Sequence, residues 1–308
     1  MNGVVIKTTG KRYTVKTEFG DNVQSFLKGK FRISGIKSTN PIVVGDNVEL
    51  VQESELWMIV KLHDRKNYIS RKSVNLSKQT HIIAANIDQA ILMITLNSPV
   101  TTTGFIDRFL VAANAYGVEV VLLFNKLDLL TDDLKIQQEK LKKVYEQIGY
   151  TCFATSLVNN DVSQIKDLMK GKVNMISGHS GVGKSTLINE LQPDLNINTK
   201  EVSNTHQQGQ HTTTFSELHE LDFGASIIDT PGIRGFGLVE LEVAELGSYF
   251  PEFFKLKSQC KFHNCMHKNE PYCAVKSSLE NGKISESRYK NYLSMLVEEE
   301  EHFRINNY

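Results

Sequence analysis

The sequence predicts a three-part protein: an all-β barrel over residues 1–72, an α/β domain on a parallel sheet over 73–248, and a small α-helical, metal-stapled module over 249–308. Three observations carry this division. Period-two alternation broken by glycines fills the first part, apolar runs alternate with helical stretches in the second, and three of the four cysteines fall within 14 residues of the third. With 308 residues, 40% of them hydrophobic and 23% charged, the chain is long enough for each part to bury a core.

In the first part, short strands are expected at 4–10, 12–18, 22–29, 40–51 and 56–63, their alternation and β-branched enrichment broken by Gly10, Gly20, Gly29, Gly35 and Gly45. Five such strands with a basic, partly aromatic surface (Lys28, Lys30, Phe31, Arg32, Lys37) resemble an OB-fold, a platform for RNA or single-stranded nucleic acid. Lysine on the surface of a purely structural barrel is the competing reading. A formal net charge of zero conceals the distribution: residues 1–72 carry 13 basic against 7 acidic side chains, the middle 13 against 20, and the tail 9 against 8.

In the second part, apolar runs at 89–96, 118–124 and 173–177 alternate with helical stretches at 104–116 and 135–148, the pattern of βαβ units. Runs without alternation fit strands buried on both faces. The segment GHSGVGKS, residues 178–185, follows the strand VNMIS and opens the helix TLINEL, matching a phosphate-binding loop in full. Gly178, His179, Ser180, Gly181, Val182 and Gly183 would wrap the phosphates with backbone amides. Lys184 would reach the β and γ oxygens, Ser185 would offer its hydroxyl to magnesium, and Thr186 continues the helix start.

Such loops serve ATP and GTP alike, so the base is read elsewhere. In NKLD, 125–128, the Asp128 carboxylate can accept from both N1 and the exocyclic amine of guanine, whereas adenine would leave it unpaired. Asn125 would anchor the base edge and the stem of Lys126 would cover the ring. The tetrapeptide alone can equally cap a helix, but it follows the strand VEVVLLF. TSLV, with Thr155, Ser156 and Leu157, stands where a second base-contacting loop is expected, the Leu157 amide being the expected donor to the guanine O6. Together these favour GTP.

Asp229, ending the run ASIID, is expected to hold magnesium through water, and the Gly232 amide to sense the γ-phosphate. GQHTTTF, 209–215, suits a loop ordered by GTP, with Thr213 and Thr214 equal candidates for the metal; a Thr-rich edge strand is the alternative. The residue after DTPG is Ile233, which cannot orient an attacking water, so His211 becomes the catalytic candidate by motif and slow intrinsic turnover is expected. The motif order is rotated: NKLD precedes the phosphate loop and DTPG follows both. The domain therefore reads as a circularly permuted GTP-binding domain.

In the tail, Cys260, Cys265, His267 and Cys273 form C-x4-C-x-H-x5-C, a donor set for one structural, tetrahedral zinc ion, with His263 as a rival ligand. Cys152 stands apart as a core residue. Residues 284–303 read as a helix whose EEEE run is a solvated face. No apolar run approaches the roughly 20 residues of a membrane helix, and MNGVVIK does not read as a signal segment, so a cytoplasmic protein without membrane association is expected.

With these residues assembled, the chain resembles the bacterial circularly permuted GTPases that act on the small ribosomal subunit, the RsgA or YjeQ family. The likeness rests on LKGKFR, NPIVVGD, AANIDQA, NKLDLL, SGVGKSTLIN, HTTTF, IIDTPGIRGFGL, YFPEF and EPYCAVK in this order. It implies an OB domain, a permuted GTPase and a zinc domain. It also implies a monomer that cycles between GTP and GDP, stimulated by the small subunit during late maturation and binding rRNA through both flanking parts. Gln210 stands where arginine is common and His179 where glutamine is frequent. Two alternatives stay open at this stage: an RNA-binding module with negligible hydrolysis, and a GTPase acting away from the ribosome.

Overall fold

The computed structural model describes residues 1–28, 41–72, 80–157, 162–195, 217–229 and 242–306. Alternation in the first part folds as expected. Strands β1 (Asn2–Thr9), β2 (Arg12–Thr17), β3 (Asn22–Leu27), β4 (Asn47–Glu53) and β5 (Leu56–Leu62) pair in the order β1-β2-β3-β5-β4, and β4 returns to β1. The β3–β5 pair is parallel and the others antiparallel, which closes a five-stranded OB-type barrel. Val5, Tyr13, Val15, Val48, Leu50 and Ile59 fill it.

A ribbon of β6 (Tyr68–Lys72) and β7 (Thr80–Ala85) leads out of the barrel; the sequence reading missed it, and its first strand ends on Lys72. Asp46 locks this exit. Its buried carboxylate accepts two bonds from Arg65, each 2.7 Å, and the Val43 amide at 2.8 Å.

The central sheet runs β10 (Thr151–Ala154), β9 (Glu119–Phe124), β8 (Gln89–Ile94), β11 (Val173–Ser177), β13 (Ala225–Asp229) and β12 (Glu217–Leu221), parallel except for antiparallel β12. All six residues of β8 are buried. Even positions (Leu92, Leu122, Phe124) join the core under α1 (Thr103–Ala115) and α2 (Asp132–Ile148). Odd positions (Ile91, Val121, Leu123) join the core under α3 (Ser163–Met169) and α4 (Lys184–Leu191). Strict alternation of side-chain direction thus splits continuous apolar strands between two helical layers. Cys152 lies half-buried on β10.

Barrel and central sheet join into one eleven-stranded sheet because β1 pairs with β12, Lys7 opposite Glu217. The ion pairs Lys7–Glu217, at 2.7 Å, and Lys16–Glu220 flank the seam.

The tail forms α5 (Pro251–Lys257), α6 (Ala274–Glu280) and α7 (Glu286–Asn306). Its apolar residues Phe250, Phe253, Val275, Tyr292 and Leu296 belong to the same core as α1. Glu298, the described member of the EEEE run whose surroundings are defined, pairs with Arg108 at 2.6 Å; the side chains of the other three lie outside the described residues. Among the described residues, no helix is long and apolar enough to cross a membrane.

Arg288, 1% exposed, ties α7 to the rest: it donates to Asp107 of α1 at 2.7 Å and doubly to Glu252 of α5 at 2.8 and 3.0 Å. Removing one partner of such a pair strands the others in low dielectric, so Arg288→Ala is expected to cost about 3–5 kcal/mol. Lys290→Ala, which breaks an exposed pair with Glu286, should cost under about 0.5 kcal/mol. Urea unfolding of the two variants, compared by midpoint, checks both figures.

Candidate nucleotide site and metal centre

The predicted phosphate loop leaves the C-terminal end of β11 and enters α4. Gly178 (φ 142°), Gly181 (φ 82°) and Gly183 (φ 105°) take left-handed or mirror-extended backbone that only glycine adopts without strain. Clearance adds to this requirement. A Cβ on Gly178 would lie 2.7 Å from the Met93 carbonyl, and one on Gly183 2.5 Å from the Asn125 amide nitrogen. Lys184 folds its ammonium back over the loop, donating to the carbonyls of Gly178 at 2.9 Å and His179 at 2.8 Å.

Asn125 joins the two loops that sequence reading assigned to base and phosphate. Its Nδ2 donates to the Val182 carbonyl at 2.8 Å. Its Oδ1 is buried with no hydrogen-bond partner, as is Ser177 Oγ one residue before the loop. Lys126 takes a left-handed φ of 63° and sends its ammonium to the Ser98 carbonyl at 2.6 Å. Asp128 accepts from the Ser156 hydroxyl, so NKLD and the TSLV segment meet side by side. Backbone bonds Thr155 N to Phe124 O (2.8 Å) and Leu127 N to Thr155 O (3.3 Å) hold them there. A cleft of about 460 Å³ opens beside them, its wall including Leu127, Asp128, Thr155 and Ser156.

These groups sit at one edge because β8, β9, β10, β11 and β13 all end there, the crevice where open parallel sheets bind ligands. Asp229 ends β13, the parallel neighbour of β11. Ser185 lies half-buried in the first turn of α4, with Thr186 exposed beside it, as is Ser180 in the loop; Leu157 is buried. His211, Thr213, Thr214, Gly232 and Ile233 lie outside the described residues.

Sequence reading did not foresee the contact of His179. Its ring stacks on Phe105 of α1, centroids 4.0 Å apart and planes tilted 32°. Burial, with the Lys184 charge behind it, holds the imidazole below its ordinary pKa and favours the neutral ring.

The four predicted metal ligands converge. Donor atoms of Cys260, Cys265, His267 and Cys273 lie within 4.8 Å of one another, with His267 Nδ1 at 3.7 Å from Cys260 Sγ and 3.3 Å from Cys273 Sγ. His263 is not part of this set. The spacing suits a tetrahedral ion whose bonds to sulfur are about 2.3 Å long. Burial pushes the Cys265 thiol up to about 12 and Cys273 in the same direction, the cost of an enclosed thiolate without a counter-charge. Burial lowers His267, which keeps its imidazole neutral and able to ligate. Glu270 fixes the knuckle by accepting from the amides of Met266, Lys268 and Asn269 at 2.7–3.0 Å. Among the described residues, these donors fit one metal ion.

A sequence profile described as RsgA GTPase matches residues 62–239, more than half of the chain. The chain belongs to the RsgA GTPase family. A protein of Flavobacterium johnsoniae named small ribosomal subunit biogenesis GTPase RsgA is 56% identical over 100% of this chain and 96% of its own. One of the same name from Bacteroides fragilis is 52% identical over 98% of each. Among solved structures, YjeQ from Thermotoga maritima matches with TM-score 0.80 and 36% identity over 96% of this chain and 97% of its own. YloQ, titled a circularly permuted GTPase, matches with TM-score 0.76 and 28% identity over 98% and 95%. The RsgA likeness runs end to end, as the sequence motifs implied.

If the cysteine cluster holds a metal that supplies the folding energy of its module, Cys273→Ser is expected to lose about one metal equivalent per chain and to unfold the knuckle and α6. Elemental analysis and limited proteolysis of the tail, with and without chelator, check this outcome.

Proposed function

We propose that this protein hydrolyses GTP to GDP and phosphate on the small ribosomal subunit during its late maturation, with the subunit stimulating turnover. The observation that carries this reading is the full-length likeness to proteins named for that activity, at up to 56% identity. The site's geometry supports the nucleotide part. Asn125 spans from NKLD to the phosphate loop, and Ser156 steadies the Asp128 carboxylate for N1 and the amine of guanine, with the Leu157 amide beside it for O6.

On this reading Lys184 exchanges two neutral carbonyls for charged phosphate oxygens, a stronger class of bond. Amides of residues 180–186 surround the β-phosphate at the start of α4. Ser185, Asp229 and either Thr213 or Thr214 would hold magnesium, which supplies neutralisation of the charge shared by the β- and γ-phosphates. The Gly232 amide would register the γ-phosphate. Ile233 has no group for orienting water, so His211 takes that role. The ion in the cysteine cluster is assigned as zinc, from its three thiolates and one imidazole.

The division at residues 72 and 248, a monomeric state, a cytoplasmic location and rRNA contact through both flanking parts complete the proposal. For the barrel, the support is its net charge of +6. For the metal-stapled module it is a surface group in which Lys261 lies 4.6 Å from the Tyr272 ring and 5.7 Å from the Phe262 ring, both rings exposed. Exposed rings beside a cation suit base stacking.

GTP turnover measured with and without small subunits tests the central claim: at least a tenfold rise is expected, on the scale by which trans-acting partners stimulate GTPases. Lys184→Ala should abolish turnover in both conditions, and an unstimulated wild type would sink the model. Tyr272→Ala is expected to weaken co-sedimentation with small subunits by about 1–3 kcal/mol, roughly 5- to 150-fold in Kd, with GTP affinity unchanged. Equal co-sedimentation would remove this surface from the contact.

A further inference from the structure

Helix α1 touches the phosphate loop with one residue and the metal-stapled module with the next turn. Thr102 caps it, its hydroxyl accepting from the Phe105 amide at 3.2 Å, so the position of Phe105 is set by the helix start. The Phe105 ring lies on His179 at 4.0 Å. The His179 carbonyl holds the Lys184 ammonium at 2.8 Å. Whatever moves Phe105 therefore moves the peptide against which Lys184 is parked.

On its other side, α1 is gripped by α7. Asn291 donates to Asp107 at 2.6 Å, Arg288 donates to the other oxygen at 2.7 Å, and Arg108 reaches Glu298 at 2.6 Å. Gly104, next to Phe105, sits against Asn291: a Cβ there would be 3.6 Å from its Oδ1. The same face of α7 reaches the metal knuckle, where the Tyr289 hydroxyl donates to the His267 carbonyl at 2.8 Å and the Tyr292 hydroxyl to that of Met266 at 2.5 Å. One rigid helix thus links the ligand loop to the first turns of α1.

We propose that Phe105 and His179 are positioning residues for GTP hydrolysis, through which the seating of the metal-stapled module on α1 sets the phosphate loop and Lys184. This rests on the hydrolase reading above. Neither ring need touch the nucleotide: the stack acts through the loop backbone. A neutral imidazole is the form that packs against a phenyl face next to an ammonium without adding a second positive charge.

Steady-state GTP turnover of the full chain, without subunits, is the test. Phe105→Ala should lower kcat about tenfold, a fraction of the loss that a misplacement of about 1 Å can cause. KM for GTP should change less than about threefold if the ground-state contacts persist. Phe105→Tyr, which keeps a ring, should restore kcat. Asn291→Ala, made from the far side of α1, should lower kcat in the same way. The double variant Phe105→Ala/Asn291→Ala should then be no slower than the slower single variant, because both cut one connection. Metal content and thermal melting of each variant confirm that the module is still folded. Wild-type kcat in Phe105→Ala, or losses that multiply in the double variant, would overturn the relay while leaving the hydrolase reading intact. A wild type that hydrolyses no GTP either alone or with small subunits would overturn both.

Discussion

The guanidinium of Arg288 is the interaction on which the arrangement of this protein turns. A cation 1% exposed is tolerated only where every polar neighbour is satisfied. Here Glu252 takes two of its bonds and Asp107 a third, while its flat face lies 4.5 Å from the Phe250 ring centroid. Asp107, itself fully buried, also accepts from Tyr145 of α2 at 2.7 Å and from Asn291 of α7. Sliding α7 by one turn along α1 would strand three charges in low dielectric. The apolar contacts of Tyr292, Met295 and Leu296 in the same core supply attraction, but they are directionless, and the charge network is what selects one register.

Much of this was legible locally. Alternation and glycine breaks yielded the five barrel strands to within a few residues, apart from the start of β4, where 41–46 is irregular chain held by Asp46 and not part of the strand. Long apolar runs and helical periodicity yielded β8, β9, β11, α1 and α2 because each carries its burial pattern within one element. The cysteine spacing was readable for a different reason: a tetrahedral ion demands donors within a few ångströms, so a short span containing four is already a geometric statement.

What was not legible depends on partners far along the chain. The β6–β7 ribbon has no clean alternation over 68–72, and β12, with the sequence ELHEL, reads as an exposed stretch until its pairing with β13 and β1 is known. Arg288 lies in ESRYKNY, a segment that reads as a solvated helix face, and its main partner is 181 residues away. Phe105 and His179, 74 positions apart, belong to two motifs that sequence reading treated separately, one as helix and one as phosphate loop.

The rotated motif order acquires a physical sense from these contacts. In the permuted chain, β12 begins at Glu217, immediately after the threonine-rich segment, and that first residue is the one that pairs with Lys7 of the barrel. On the partner strand of the same hairpin, β13 stops at Asp229, directly opposite Glu217, and 242–306 then folds onto α1. The two flanking parts are therefore fastened to different elements of the nucleotide domain: the barrel to β12, the strand that follows the proposed GTP-sensing loop, and the metal-stapled module to α1, the helix whose Phe105 stacks on the phosphate loop. A parallel sheet is stiff along its strands, and packed cores shift between discrete arrangements more readily than they deform. A change at the γ-phosphate would reach the barrel through β12, and a load on the metal-stapled module would reach Lys184 through α1. Among the described residues, β12 and α1 are separate elements, so a nucleotide state reported outward and a binding event reported inward can be separated by substitution in one or the other.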